Sequence, residues 1–271
     1  MGMHTNTTRL AAGGRLVRDA VLETLWPTRC CACDVPGAVL CAECERDLAW
    51  LDLWQACPAC GAPFGRLVCT ECTGIVLEAL GRSSLPFDSC RSAVLLDATA
   101  HRMVTAWKDG GEARLGAVMA RILADVLPRS WFRDGAHRTD SARMPPDDTA
   151  PQAVLPVPAT RAAVARRGFD HAEELARELG TLLGLPCWTP LARPRAKDQR
   201  GLSRRERARN AKGSFALARD PRPASAQCAL PQSVLLVDDV FTTGSTLSDA
   251  TDTLKAAGVR TVHCATFARA F

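Results

Sequence analysis

The run Val234-Leu235-Leu236-Val237-Asp238-Asp239-Val240-Phe241-Thr242-Thr243-Gly244-Ser245-Thr246-Leu247 decides how the rest of the chain is read. Its first four residues are an unbroken apolar stretch, the pattern of a strand buried on both faces of a parallel sheet. Asp238 and Asp239 stand where that strand is expected to end. A small, hydroxyl-rich loop follows, and a helical pattern runs from Leu247 to Ala257, closed by Gly258.

A strand, a loop of small residues and a helix N-terminus together form an anion site. The free N–H groups of the first helical turn and the positive end of the helix dipole face the loop. Thr242, Thr243, Ser245 and Thr246 add hydroxyl donors, and Gly244 lets a phosphate approach the backbone closely. Two carboxylates beside a phosphate cradle make sense as acceptors for sugar hydroxyls or as holders of a divalent cation. The ligand that fits is a sugar 5-phosphate with free vicinal hydroxyls.

The segment resembles the 5-phosphoribosyl-1-pyrophosphate (PRPP) signature of type I phosphoribosyltransferases. A Walker B strand also reads apolar-apolar-Asp-Asp, but it requires an upstream Gly-x-x-x-x-Gly-Lys-Ser/Thr loop. The four lysines, Lys108, Lys197, Lys212 and Lys255, neither follow a glycine nor precede a serine or threonine, which excludes that reading.

The chain has 271 residues, a formal net charge of +5 and 13 cysteines. Its length allows one large or two smaller domains. Tyr is absent and aromatics make up 5% of residues, which argues against an extensive base-stacking platform. No window has the uninterrupted apolar length of a membrane span. Arg15, Arg18 and Asp19 interrupt any signal-peptide core. An odd number of cysteines, many in Cys-x-x-Cys pairs, points to metal in a reducing compartment and so to the cytoplasm.

Four such pairs lie near the N-terminus: Cys30/Cys33, Cys41/Cys44, Cys57/Cys60 and Cys69/Cys72. Each can form a knuckle, and two knuckles complete a tetrahedral four-thiolate site, so eight ligands imply two structural Zn²⁺ ions. Sequential pairing needs the shortest loops, while the spacing also allows a cross-braced arrangement. Ribbons this small take their folding energy from the metal. Their charge is near neutral or acidic, and both a structural role and a nucleic-acid or partner contact are open.

Leu10–Trp26 reads as a packing helix, Ser92–Asp97 as a short strand, and His101–Leu127 as a helix interrupted at Trp107-Lys108-Asp109-Gly110-Gly111. Residues 133–152 are Asp/Arg/Ser/Pro-rich, the composition of a disordered insertion. A second buried strand is expected at Ala153–Pro158. A basic loop carrying Arg161, Arg166 and Arg167 follows, then a helix from His171 to about Leu183 with Asp170 as its N-cap. The loop arginines suit a pyrophosphate or are simply solvated. His171 is expected to be exposed and His263, in a last strand Thr261–Phe267, to be packed. Residues 193–213 hold nine basic residues, Lys197 and Arg200 among them, against Asp198 and Glu206 alone. A run this basic covers an anionic substrate or meets a nucleic-acid backbone.

The order of these parts resembles the ComF family, bacterial proteins with an N-terminal double zinc ribbon and a C-terminal phosphoribosyltransferase domain tied to DNA uptake. The matching pieces are the four cysteine pairs, the Lys108–Gly111 turn, Val154–Pro158, Arg167-Gly168-Phe169, Gln199, Arg205, Asn210, Phe215 and the Val234–Leu247 signature. Asp109, Asp170 and His171 depart from the family pattern. The resemblance implies an α/β, type I phosphoribosyltransferase-like parallel sheet flanked by helices, with a small double zinc-ribbon module. It covers roughly 26–271, apart from the 133–152 insertion, and implies the ribbons at 27–75 and the sheet domain at 90–271, with the helix read from spacing assigned to a separate N-terminal segment at 1–26.

By that resemblance Val237, Asp238, Asp239 and Thr242–Thr246 bind PRPP with Mg²⁺, Asp238 and Asp239 as the catalytic pair. Arg161, Arg167, Lys197 and Arg200 are pyrophosphate or loop candidates. Implied partners are PRPP or a related phosphorylated ribose, single-stranded DNA, and a competence helicase-like ATPase. The rival reading is a non-enzymatic single-stranded DNA-binding adaptor that uses the Arg-rich loop and the ribbons. Steep salt dependence would mark the adaptor, and dependence on Asp238 and Asp239 the phosphoribosyl site.

Overall fold

The computed structural model describes residues 27–132, 149–193, 215–218 and 230–271. The expected N-terminal helix, most of the insertion, and the basic run beyond Arg193, with Lys197 and Arg200, lie outside the described residues. The chain divides between Asp47 and Leu48 into two units. The boundary expected from sequence, after residue 75, would have kept all four cysteine pairs together. The division at 47/48 puts the first two pairs in the small unit and the last two in the large one.

Among the described residues, the small unit is built around its cysteines and a short helix, α1 (Ala42–Arg46), whose N-cap is Cys41. In the large unit Thr73 caps α2 (Gly74–Ala79) through its hydroxyl. There follow β1 (Ser89–Leu95), α3 (Ala98–Lys108), α4 (Arg114–Asp125), β2 (Ala153–Pro156), α5 (Arg161–Arg167) and α6 (His171–Leu183). A two-stranded antiparallel ribbon, β3 (Leu191–Ala192) with β4 (Ala216–Leu217), precedes β5 (Ser233–Phe241), α7 (Ser245–Ala256) and β6 (Thr261–Arg269).

Four strands form one all-parallel sheet in the order β1-β6-β5-β2. Ser233 to Val237 of β5 are all buried, because helices cover both faces. Val234 and Leu236 pack with Leu247, Ala250 and Leu254 of α7. On the other face α6 packs on β2, β5 and α4. Leu175, Leu179 and Leu183 of α6, at helical spacing, are fully buried there, as are Leu115, Met119, Ile122 and Leu123 of α4.

Four local expectations are corrected. β5 does not end at the carboxylates: Asp238 pairs with Thr266 and Phe241 with Arg269, so the strand carries the acidic pair within it. The stretch 161–167 is helix, not loop, because Thr160 Oγ1 accepts a hydrogen bond from Ala163 N at 3.2 Å and caps it. β2 ends at Pro156, two residues early: Val157 N still donates to Val237 O, but the next N–H on that side, Ala159, is diverted to the Asp170 carboxylate. His171 is buried, not exposed, beneath an edge-on contact with Trp107, ring centroids 5.2 Å apart.

Candidate functional site

The loop after β5 is set by Gly244, which sits at φ 72° as the N-cap of α7 and makes no side-chain cap bond. A Cβ there would lie 2.6 Å from the Phe241 ring, so glycine is required both for space and for the left-handed backbone. Ser245 N, the first amide of α7, is held by Thr243 Oγ1 at 3.4 Å, and the first turn otherwise directs its amides at the loop. Thr242, Thr243 and Ser245 are exposed beside it, with the Thr243 and Ser245 hydroxyls 2.9 Å apart.

The carboxylate pair is not symmetric. Asp239 is buried and forms an ion pair with Lys108, the last residue of α3. Burial opposes ionisation of Asp239, but the Lys108 ammonium outweighs it and holds the carboxyl below its usual range. Asp238 is desolvated as well and faces the charge of Asp239, which pushes its carboxyl well above the usual range. Its Oδ1 accepts a hydrogen bond from Asp239 N at 2.9 Å. The pair therefore presents one fixed anion and one group that gains from an arriving cation or hydroxyl donor. For the same reason the donor set suits a cation that brings its other ligands with it: Asp239 is already committed, and Asp238 supplies the adaptable oxygen.

The basic candidates divide. Arg167 lies at the end of α5, donating to Asp109 at 3.1 Å and touching His171 Nδ1 at 3.2 Å. Arg166 also reaches Asp109, at 3.3 Å. Asp109 thus gathers two arginines on the rim. Arg161 is exposed in the first turn of α5, one turn and more from this cluster. Asp170 caps α6 through Ala172 N and ties the β2–α5 connection by accepting from Ala159 N at 2.9 Å. Burial, then the charge of Lys108, lower the pKa of His171, so the ring is held neutral among these cations.

Two contributors were missed by sequence reasoning. Lys108 is 131 positions from Asp239, and only the Lys108-Asp109-Gly110-Gly111 turn hinted at it. Arg193 donates to Pro158 O at 2.8 Å, lies over the Phe215 ring at 4.6 Å, and is within electrostatic reach of Asp238. Only its place at the start of the basic run marked it.

The cysteines group sequentially. Cys30, Cys33, Cys41 and Cys44 form one cluster and Cys57, Cys60, Cys69 and Cys72 the other, with each set of sulfurs within 4.8 Å of one another. Cys33–Cys41 and Cys57–Cys72 Sγ separations are 3.7 Å, and Cys60–Cys69 is 3.5 Å. A tetrahedron with Zn–S bonds of ≈2.3 Å has edges of about 3.8 Å. Amides point at the sulfurs, Cys41 N at Cys30 and Glu71 N at Cys69, each at 3.4 Å. Burial would raise the Cys30 thiol, yet neighbouring amides bring it down to about 6, while in the second cluster desolvation raises Cys72 to about 12. Four thiolates this close need a central cation, and both clusters fit structural zinc.

A cavity of ≈390 Å³ adjoins the loop. Thr242–Ser245 form one wall, Val76, Leu77 and Leu80 another, and Phe241 and Arg269 lie between.

Residues 162–270 match the phosphoribosyl transferase domain family. The chain is similar to Competence protein F of Haemophilus influenzae, with 37% identity over 123 residues, 44% of this chain and 51% of that protein. It is also similar to DNA utilization protein YhgH of Salmonella typhi, with 28% identity over 249 residues, 88% of this chain and 95% of that one. The match thus spans about half the length of the Haemophilus protein and nearly all of the Salmonella one. A parallel sheet with a strand–loop–helix anion site, preceded by two four-cysteine clusters, defines a phosphoribosyltransferase-fold protein with a paired metal-ribbon region. Within that class, the similarity to these two proteins and the two four-cysteine clusters support the ComF family.

Proposed function

We propose that the chain binds PRPP, or a related phosphorylated ribose, with Mg²⁺ at the crest of β5 and acts in DNA uptake from the cytoplasmic side. The observation that carries this reading is the N-terminus of α7 at the left-handed Gly244, flanked by exposed hydroxyls and an unequal carboxylate pair. The amides of the α7 first turn, with Thr242, Thr243, Ser245 and Thr246, would hold the 5-phosphate. Asp238 would accept from the ribose hydroxyls, with Asp239 fixed behind it by Lys108. Magnesium would neutralise the departing pyrophosphate. Arg167, and Arg193 from the other side, would add to the same positive field. Because transfer from the anomeric carbon proceeds through an oxocarbenium-like state, charge placement counts for more than a strong base.

A role in DNA uptake is supported by the ComF resemblance and agrees with two similar proteins being named for competence and DNA utilization. The excess of basic residues in 193–213 supports single-stranded DNA as a partner of that run, and the family resemblance supports a helicase-like ATPase as a second. No helix among the described residues is long and apolar enough to cross a membrane.

Calorimetric titration of Mg·PRPP tests the site. The wild type is expected to bind, Asp238→Asn to weaken binding by at least tenfold, and binding to persist at raised salt. DNA binding through the basic run should fall steeply with salt instead. A folded, zinc-loaded wild type that takes up no Mg·PRPP overturns the phosphoribosyl reading and leaves the DNA adaptor.

A further inference from the structure

The second four-cysteine cluster and the phosphate loop are joined by one buried side chain. Arg269, the last residue of β6, is fully buried. Its Nη1 donates to the carbonyl of Cys60 at 2.8 Å, and its Nη2 pairs with the carboxylate of Glu71, which lies between Cys69 and Cys72. Its guanidinium lies 3.8 Å from the centroid of the Phe241 ring. That ring is the one against which Gly244 fits with no room for a Cβ. The path therefore runs from a cluster ligand, through a planar cation, to an aromatic ring and the loop backbone, with each step in van der Waals or hydrogen-bond contact.

A second tie runs parallel to it. Arg82, just beyond α2, donates to Asp249 at 2.9 Å and to Asp252 at 2.8 Å. Both acids belong to α7, the helix whose N-terminus forms the loop. The module is also seated directly on the sheet: a Cβ at Gly61 would lie 2.7 Å from the carbonyl of Cys90 in β1.

We infer that the second four-cysteine module is a working part of the phosphate site, with Arg269 as the positioning residue that transmits the geometry of the metal cluster to Phe241 and Gly244. The inference rests on the reading of the loop as a phosphate cradle. It deepens that reading by making the shape of the cradle depend on one of the two metal sites and not on the other. Arginine suits this place because its flat fork serves the carbonyl, the carboxylate and the ring together, which a lysine ammonium does not.

Backbone hydrogen exchange of the segment 241–248, read by mass spectrometry on the full-length, zinc-loaded protein without ligand, tests it. Arg269→Lys and Glu71→Gln are expected to speed exchange in this segment about tenfold, as local opening becomes easier. Cys30→Ser, which disrupts the first cluster, should leave it unchanged. Glu71 is 31% exposed, so Glu71→Gln carries the test if Arg269→Lys does not fold. Unchanged exchange in the folded variants, or equal acceleration in Cys30→Ser, overturns the inference. Because no ligand is present, a failure of the wild type to bind Mg·PRPP in calorimetry would overturn the phosphoribosyl reading separately.

Discussion

The two four-cysteine clusters share a motif and differ in what surrounds them. Cys30, Cys33, Cys41 and Cys44 organise a short unit in which Cys30 and Leu40 are the buried side chains among the described residues. An ion pair in it, Arg29 with Asp34, is open to solvent on both sides, 51% and 78% exposed. Cys57, Cys60, Cys69 and Cys72 lie in the large unit, where Arg269 is fully buried against them and Arg82 and Asp249 pair at 17% and 13% exposure. The same motif thus stands in a short, largely exposed unit in one place and against a buried arginine and α7 in the other. A metal motif alone does not say which.

The comparison is tested most severely by removing each metal in turn. Cys57→Ser with Cys60→Ser should lose one zinc, lower the melting temperature of the large unit by more than ten degrees and abolish Mg·PRPP binding. The scale follows from a zinc site worth roughly 10–16 kcal/mol to the fold it organises. Cys30→Ser with Cys33→Ser should lose the other zinc and leave the large unit's melting and ligand binding nearly unchanged. Calorimetry and metal analysis on the two double variants decide between them; equal damage would erase the distinction.

Gly244→Ala sharpens it from the loop side. The forced left-handed backbone and the clash with Phe241 should cost about 1–3 kcal/mol and weaken phosphate binding by a comparable factor. Both zincs should stay bound. Arg82→Ala should cost on the order of 1 kcal/mol in denaturant melts, whereas Arg29→Ala, which breaks a solvent-exposed pair, should fall below measurement.

The smallest effect is a pH dependence confined to the large unit. Burial depresses the pKa of His171, so the unfolded chain binds more protons than the folded one on the acid side. The His171 contribution is complete above its unfolded pKa of about 6.5 and is lost as pH falls through the folded value. Denaturation midpoints should therefore decline from pH 7 to pH 5, and His171→Gln should flatten that slope.

Much of this arrangement could be read from local sequence. The strand-loop-helix of 234–257 and the sequential grouping of cysteines are short-range patterns, and short-range patterns have few alternative folds. Asp170 as a cap belonged to the same class. The partners of those patterns were not legible, because they are set by packing between distant segments. Lys108, the last residue of α3, meets Asp239 within β5, and Arg269, the last residue of β6, meets Glu71, only because the fold brings these distant segments together. His171 is a further case. A histidine in the first turn of a helix is usually exposed, and it is the edge-on contact with Trp107, from a distant helix, that helps to bury this one. The continuation of β5 through Asp238 to Phe241 was hidden for the opposite reason. Two adjacent carboxylates read locally as a strand end, but pairing with β6 extends the ladder past them.

The dependence of the phosphate loop on the second cluster, and not the first, is most directly tested by zinc release. A metallochromic chelator should strip the protein in two phases. Mg·PRPP, at a concentration shown by calorimetry to saturate, should slow one of them several-fold, because coupling between two sites is reciprocal. The slowed phase should persist in the Cys30→Ser/Cys33→Ser variant, which retains only the Cys57–Cys72 metal. If bound Mg·PRPP slows neither phase, or slows the phase that this variant lacks, the phosphate loop does not depend on the second cluster.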